Sequence, residues 1–130
     1  MSYLGEQYIE ELDPKFSYLF ELKDNLYPIP MFGVETQIGW KSIIDEFLDK
    51  LIILDPKKEL RIFQIKEKFG ALRLYVNTSD KAVNALIQEY EEMSSGICEV
   101  CGNPGQLLVK SSWYKTRCEK HSEGATIVKK

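Results

Sequence analysis

The sequence predicts an α+β fold in two parts: a small helix-and-hairpin core over residues 1–95 and a C-terminal module over 96–130. Three observations carry this expectation. Apolar residues recur at helical spacing from Trp40 to Leu51 and again from Val83 to Met93. Between them, residues 60–76 alternate apolar and polar around a glycine-containing link, which is the pattern of a β-hairpin. Beyond them, all three cysteines and the single histidine of the chain fall between Cys98 and His121.

The elements follow in order. Residues 1–13 are acidic and weakly patterned. Asp13-Pro14 is a helix start, with Asp13 as N-cap and Pro14 at the first helical position. A helix over 14–25 would place Phe16, Leu19 and Phe20 on one face. Tyr27-Pro28-Ile29-Pro30 must be extended, because a residue before proline is driven out of the helical region. This segment is expected to wrap the core, with docking to a partner as the alternative. A helix over 39–53 carries Trp40, Ile43, Ile44, Phe47, Leu48 and Leu51 on its buried stripe. Asp45, Glu46 and Asp49 fall on its wet side and read as a solvated face, not as acid–base machinery. Asp55-Pro56 ends it.

In the hairpin, Phe63, Ile65, Leu72, Leu74 and Val76 are expected to face the core, and Gln64, Lys66, Arg73 and Tyr75 the other side. Asn77 to Asp80 supplies start residues for a helix over 80–94, with Val83, Leu86, Ile87, Tyr90 and Met93 inward. Ser94-Ser95-Gly96 reads as a short hinge into the C-terminal module. The tail after His121 is polar.

Cys98 and Cys101 form one pair, Cys118 and His121 another, each with two residues between its members, and sixteen residues separate the pairs. That is the layout of a tetrahedral Cys3His zinc site. Two intervening residues let a tight knuckle aim both side chains at one ion. Gly102 permits the turn after the second cysteine, and Asn103-Pro104-Gly105 reverses the chain. The connecting span has room for two short strands. Iron is the minor alternative, and the imidazole favours zinc. Four protein ligands leave no coordination position for water, so one structural zinc is expected and no catalysis at it. With every cysteine and the only histidine committed, no cysteine nucleophile, Ser-His-Asp triad or histidine base is left elsewhere.

Hydrophobic residues make up 44% of the chain, as in ordinary globular proteins. No apolar run approaches the ~20 residues of a membrane span, and the N-terminus lacks a basic stretch followed by an apolar one. Zinc thiolates and an odd cysteine count fit the cytoplasm. The formal charge of −3 is unevenly placed: −7 over residues 1–56, +4 over 57–75, −4 over 76–105 and +4 over 106–130. These blocks are either solvated faces or, on the strands, a basic surface for an acidic partner. The candidate surface comprises Lys66, Arg73, Tyr75, Lys110, Trp113, Lys115 and Arg117. Trp113 and Tyr114, adjacent in a strand, should point to opposite faces, one onto the zinc knuckle and the other outward.

The chain resembles a family of small bacterial and phage-associated proteins with a KEKFG-x-LR-x-YV hairpin and a C-terminal CxxCGxPG…CxxH zinc ribbon. The matching stretches are Gly39-Trp40, Gln64 to Val76, Cys98 to Gly105, Trp113, and Cys118 to His121. The pattern expects a second glycine where Ala71 stands and a leucine where Arg117 stands. The resemblance implies a mobile-element or phage context and brings no established activity with it.

The leading functional expectation is a non-catalytic zinc-binding interaction module whose partner is another protein. The alternative is a nucleic-acid-binding ribbon, with Lys66, Lys68, Arg73, Lys110, Lys115 and Arg117 on phosphates and Tyr75 or Trp113 stacking on bases. A sequence pI of 5.3 opposes it. A metal-scaffolded nuclease is the third reading, and it needs a spare histidine or a second metal site. No membrane partner and no small-molecule substrate is indicated.

Overall fold

The computed structural model describes residues 3–21 and 33–128. The predicted α+β class is what it shows. The described elements are β1 (Tyr3–Leu4), α1 (Gly5–Glu10), β2 (Val34–Gln37), α2 (Lys41–Ile53), β3 (Ile62–Lys68), β4 (Ala71–Val76), α3 (Lys81–Ser94), β5 (Gln106–Lys110), β6 (Trp113–Arg117) and β7 (Thr126–Ile127). The first sheet has the order β1-β2-β3-β4, with β2 parallel to β3 and the other pairs antiparallel. The second sheet has the order β6-β5-β7, antiparallel throughout. Among the described residues, no helix is long and apolar enough to cross a membrane.

The core forms where α2 and α3 pack on each other and on the first sheet. Trp40, Ile43, Ile44, Phe47, Leu48 and Leu51 are all buried, as the helical spacing of the stripe requires. From α3, Val83, Leu86 and Tyr90 meet them, and Phe47 stacks edge-on to Tyr90 with ring centroids 5.8 Å apart. Ile87 and Met93 are half-buried against the same core. Asp80 caps α3 by accepting from the amides of Ala82 and Val83.

Three buried or half-buried tyrosines anchor to carboxylates on or just beyond α2. Tyr8 donates to Asp45 (2.6 Å), Tyr90 to Glu46 (2.8 Å) and Tyr18 to Asp55 (2.7 Å). Burial first, and the carboxylate acceptor second, pushes the Tyr8 and Tyr18 hydroxyls well above the usual phenol range, so both stay protonated donors. The face holding Asp45 and Glu46 therefore does more than meet solvent.

The hairpin departs from strict alternation. The register shifts between Ile62 and Gln64, so Phe63 is the extra residue of a bulge. Ile62 takes the core position and Phe63 is only half-buried, a correction to the inward list. The glycine-containing link is a two-residue turn: Phe69 and Gly70 both have positive φ, 54° and 84°, the conformation of a primed turn. Ser111 and Ser112, at 52° and 67°, close β5 and β6 the same way.

The segment after Asp13 is also shorter than expected. Asp13 does cap it, accepting from the Lys15 amide, but Pro14–Phe20 is a 3-10 helix and Glu21 is already extended. The helix expected to reach residue 25 stops there, with Phe16, Leu19 and Phe20 buried and Glu21 turning to extended backbone. Residues 22–25 and the Tyr27–Pro30 segment lie outside the described residues.

Candidate metal centre

The knuckle is built from backbone bonds. The Cys98 amide donates to the Asn103 carbonyl (2.8 Å) and the Gly102 amide to the Cys98 carbonyl (2.8 Å). Ile97 bridges to Pro104, which closes the loop. The second ligand pair sits on a 3-10 turn, Glu119–His121, where the His121 amide donates to the Cys118 carbonyl (3.1 Å). One tight turn brings the imidazole alongside Cys118.

The four ligand atoms of Cys98, Cys101, Cys118 and His121 lie within 4.8 Å of one another. Cys101 Sγ and Cys118 Sγ are 3.7 Å apart, far beyond a disulfide bond of ~2.05 Å. A tetrahedral ion with metal–sulfur bonds of ~2.3 Å separates its sulfurs by about 3.8 Å. His121 presents Nδ1 at 3.2 Å from Cys118 Sγ and 3.7 Å from Cys98 Sγ, again the scale of two ligands sharing one ion. The residues present thus fit a single metal ion held by three sulfurs and one nitrogen.

Electrostatics call for a cation there. Burial alone would raise the Cys98 thiol, but the amides of Cys118, Cys101 and Val100, together with the Cys101 thiol, bring it down to about 6. The Asn103 amide also favours the Cys101 thiolate, yet desolvation and the neighbouring sulfurs of Cys98 and Cys118 raise it overall. Three sulfurs this close would repel one another as thiolates, and a divalent ion would remove that repulsion.

The knuckle is seated on the core through Gly39 and Trp40. The Gly39 amide donates to the Glu99 carbonyl (2.7 Å), and Trp40 Nε1 donates to the Ile97 carbonyl (2.8 Å). A Cβ at Gly39 would fall 2.2 Å from the Cys98 carbonyl oxygen, so only glycine lets the two backbones meet. Glu99, between the first two cysteines, is buried, and its carboxylate accepts from the Gln37 amide (3.1 Å). Burial raises its pKa above the ordinary carboxylate range, the largest influence on it. Sequence reasoning did not single out Glu99. Its place inside a Cys-x-x-Cys pair was the one available signal. Gly39 was visible only as part of the resemblance.

The ribbon is also tied to the hairpin. Thr116 Oγ1 donates to the Gly70 carbonyl (2.6 Å) and the Glu99 amide to the Thr116 carbonyl (3.0 Å). Ser94, read as the start of a hinge, is fully buried; its Oγ accepts from the Leu72 amide and donates to the Glu91 carbonyl.

The proposed surface residues are dispersed in a telling way. Tyr75 is exposed, and Lys66 is half-exposed. Arg73 lies 4.0 Å from Glu91, and Lys115 Nζ lies 3.1 Å from Glu123. Lys110 Nζ donates to the Glu123 carbonyl (3.0 Å). Arg117 is buried, at 7% exposure, and is not a surface residue. Trp113 and Tyr114 are both exposed, so neither seals the knuckle. The reason is position: Trp113 opens β6 at the turn end, whereas Cys118 follows the far end of the strand.

Comparison with family models, with curated proteins and with solved structures finds no match to this chain.

Proposed function

We propose that this chain is a non-catalytic zinc-binding protein whose metal site locks a ribbon against an α+β core, and that the paired hairpin tips dock another protein. One observation carries the docking surface. Phe69, at the β3–β4 turn, and Trp113 and Tyr114, at the start of β6, are all exposed and frame one cleft of about 210 Å³. Large aromatics are enriched where proteins bind proteins, and exposing three of them on adjoining tips costs solvation that a partner would recover.

The charge around the cleft favours a protein over nucleic acid. Arg73 and Lys115 are ion-paired, Arg117 is buried, and Lys68 sits over the Phe69 ring, 5.6 Å from its centroid. Among the described residues, that leaves too few unpaired cations near the aromatics for the row of phosphate contacts that nucleic-acid affinity requires. Zinc supports the reading as the ion that three thiolates and one imidazole prefer. The commitment of all three cysteines and the only histidine to that cluster supports a role without catalysis.

Co-purification from the native host tests the surface. The zinc-loaded protein should retain a specific protein partner, and Phe69→Ser with Trp113→Ser should lose it while keeping fold and metal. Equal capture by the double variant would contradict the proposal. Salt-sensitive binding of oligonucleotides, read by electrophoretic mobility and lost in the same variant, would assign the surface to nucleic acid instead.

A further inference from the structure

On β5 and β6, the directly opposed pairs Gln106–Arg117, Leu108–Lys115 and Lys110–Trp113 share one face of the ribbon. The chain leaves β6, crosses that face through Glu119–His121 and the turn at Glu123, and returns as β7 beside β5. Lys115 and Lys110 pin the crossing at Glu123, and the Val128 amide donates to the Leu107 carbonyl (3.0 Å). Between this strap and the sheet lies a cavity of about 510 Å³. Its size is that of a small-ligand site. Leu108, Ile127, Ala125 and Pro104 give it apolar walls, and Arg117 and Ser122 also line it.

Arg117 is the unexplained group. It is more than nine-tenths buried, and its Nε is a buried donor with no acceptor. Among the described residues, none of its guanidinium nitrogens makes a hydrogen bond. Arg61 also has a buried free Nε, but its Nη1 donates to the carbonyls of Lys58 (3.0 Å) and Leu60 (2.9 Å). Arg117 has no such anchor. Glu99 and Glu123 attract Arg117 electrostatically, yet neither hydrogen-bonds to it: Glu99 accepts from the Gln37 amide and Glu123 from Lys115, while Glu119, which also lines the cavity, is exposed. A charged guanidinium whose Nε is buried without an acceptor is costly, and its planar fork matches the two oxygens of a carboxylate.

We propose that this cavity binds a carboxylate bearing a short apolar body, the carboxylate on Arg117 and the body against Leu108 and Ile127. The carboxylate can belong to a free organic acid or to the C-terminus of a peptide. The cavity shares no lining residue with the cleft at the hairpin tips.

The test uses the full zinc-loaded chain, labelled with nitrogen-15, and follows the Arg117 Nε–Hε resonance, assigned by its loss in Arg117→Met. Hexanoate should move this resonance saturably, and hexanamide, with the same body and no charge, should bind at least about tenfold more weakly. Arg117→Met, followed instead at the backbone amides of Leu108 and Ile127, should weaken hexanoate by a similar factor while one metal per chain is retained. A leucine-ended tetrapeptide as free acid, set against its amide, separates the two sources: preference for the free acid over hexanoate assigns a chain terminus, and the reverse a small acid. A resonance that hexanoate leaves unmoved, equal binding of hexanoate and hexanamide, or metal loss on adding hexanoate would each overturn the proposal. Should Arg117→Met fail to fold, the hexanoate–hexanamide contrast on the parent chain decides alone.

Discussion

Gly39 shows how one atom decides the relation between core and knuckle. Its amide holds the Glu99 carbonyl, and its missing side chain leaves room for the Cys98 carbonyl. Gly39→Ala must push these backbones apart. We expect a loss of about 1–3 kcal/mol in denaturant unfolding of the zinc-loaded protein, the usual scale of overpacking. A change within about 0.5 kcal/mol, typical of an exposed site, would show that the contact is loose. A second residue-scale prediction concerns Glu46. The Tyr90 hydroxyl, as its donor, holds this carboxylate below the ordinary range. A group with a depressed folded pKa contributes stability above its unfolded pKa and loses it as pH falls through the folded one. Tyr90→Phe should raise the Glu46 titration midpoint, read by carboxyl carbon resonances, and an unchanged midpoint would remove Tyr90 as the cause. Such partners are not legible in a sequence. Spacing places Glu46 on the outer side of its helix, but only the fold brings a tyrosine from α3 over it. Arg117 was misplaced for a similar reason: charge suggests solvent, whereas the strap from Cys118 to Thr126 covers it.

At the scale of elements, strong periodicity was readable and short pieces were not. The stripe from Trp40 to Leu51 and the Asp80 cap located α2 and α3 to within a few residues. β1 and β2, of two and four residues, carry too little pattern to declare themselves; β2 exists through pairing with β3, and β1 through pairing with β2. The bulge at Phe63 is invisible to an alternation rule, which assumes two residues per pleat throughout. The turns give a direct prediction. Ser111 and Ser112 both hold left-handed conformations that L-residues disfavour. Replacing them with Asn-Gly, the preferred pair for this turn, should stabilise the protein by about 1 kcal/mol in thermal or denaturant unfolding. A loss of stability would mean that the serines contribute contacts beyond the turn.

At the scale of the whole molecule, the Cys3His cluster is hydrogen-bonded into the core and does not merely decorate it. Trp40, in the core cluster, donates to Ile97 beside the first ligand, and Thr116, two residues before the third, donates to Gly70 at the hairpin turn. Removing the metal should therefore loosen the hairpin turn and the start of α2 as well as the ribbon. Hydrogen exchange after chelation should rise at Gly39 and Gly105, whose amides bond across the knuckle, and less at the centre of α3. Exchange confined to the ribbon's own strands would make the two parts independent. Cysteine and histidine spacing alone pointed to the four residues that cluster, because a Cys3His site demands those residue types at those intervals. It could not say what the knuckle rests on, since that surface is contributed by residues about sixty positions earlier.

The central claim is one closed metal site made by Cys98, Cys101, Cys118 and His121. X-ray absorption at the zinc edge, on reduced protein of measured metal content, tests it most directly. The account predicts one zinc per chain with three sulfurs at ~2.3 Å and one nitrogen at ~2.0–2.1 Å, and no oxygen ligand. Absence of zinc, or a shell with fewer than three sulfurs and a bound water, would contradict it.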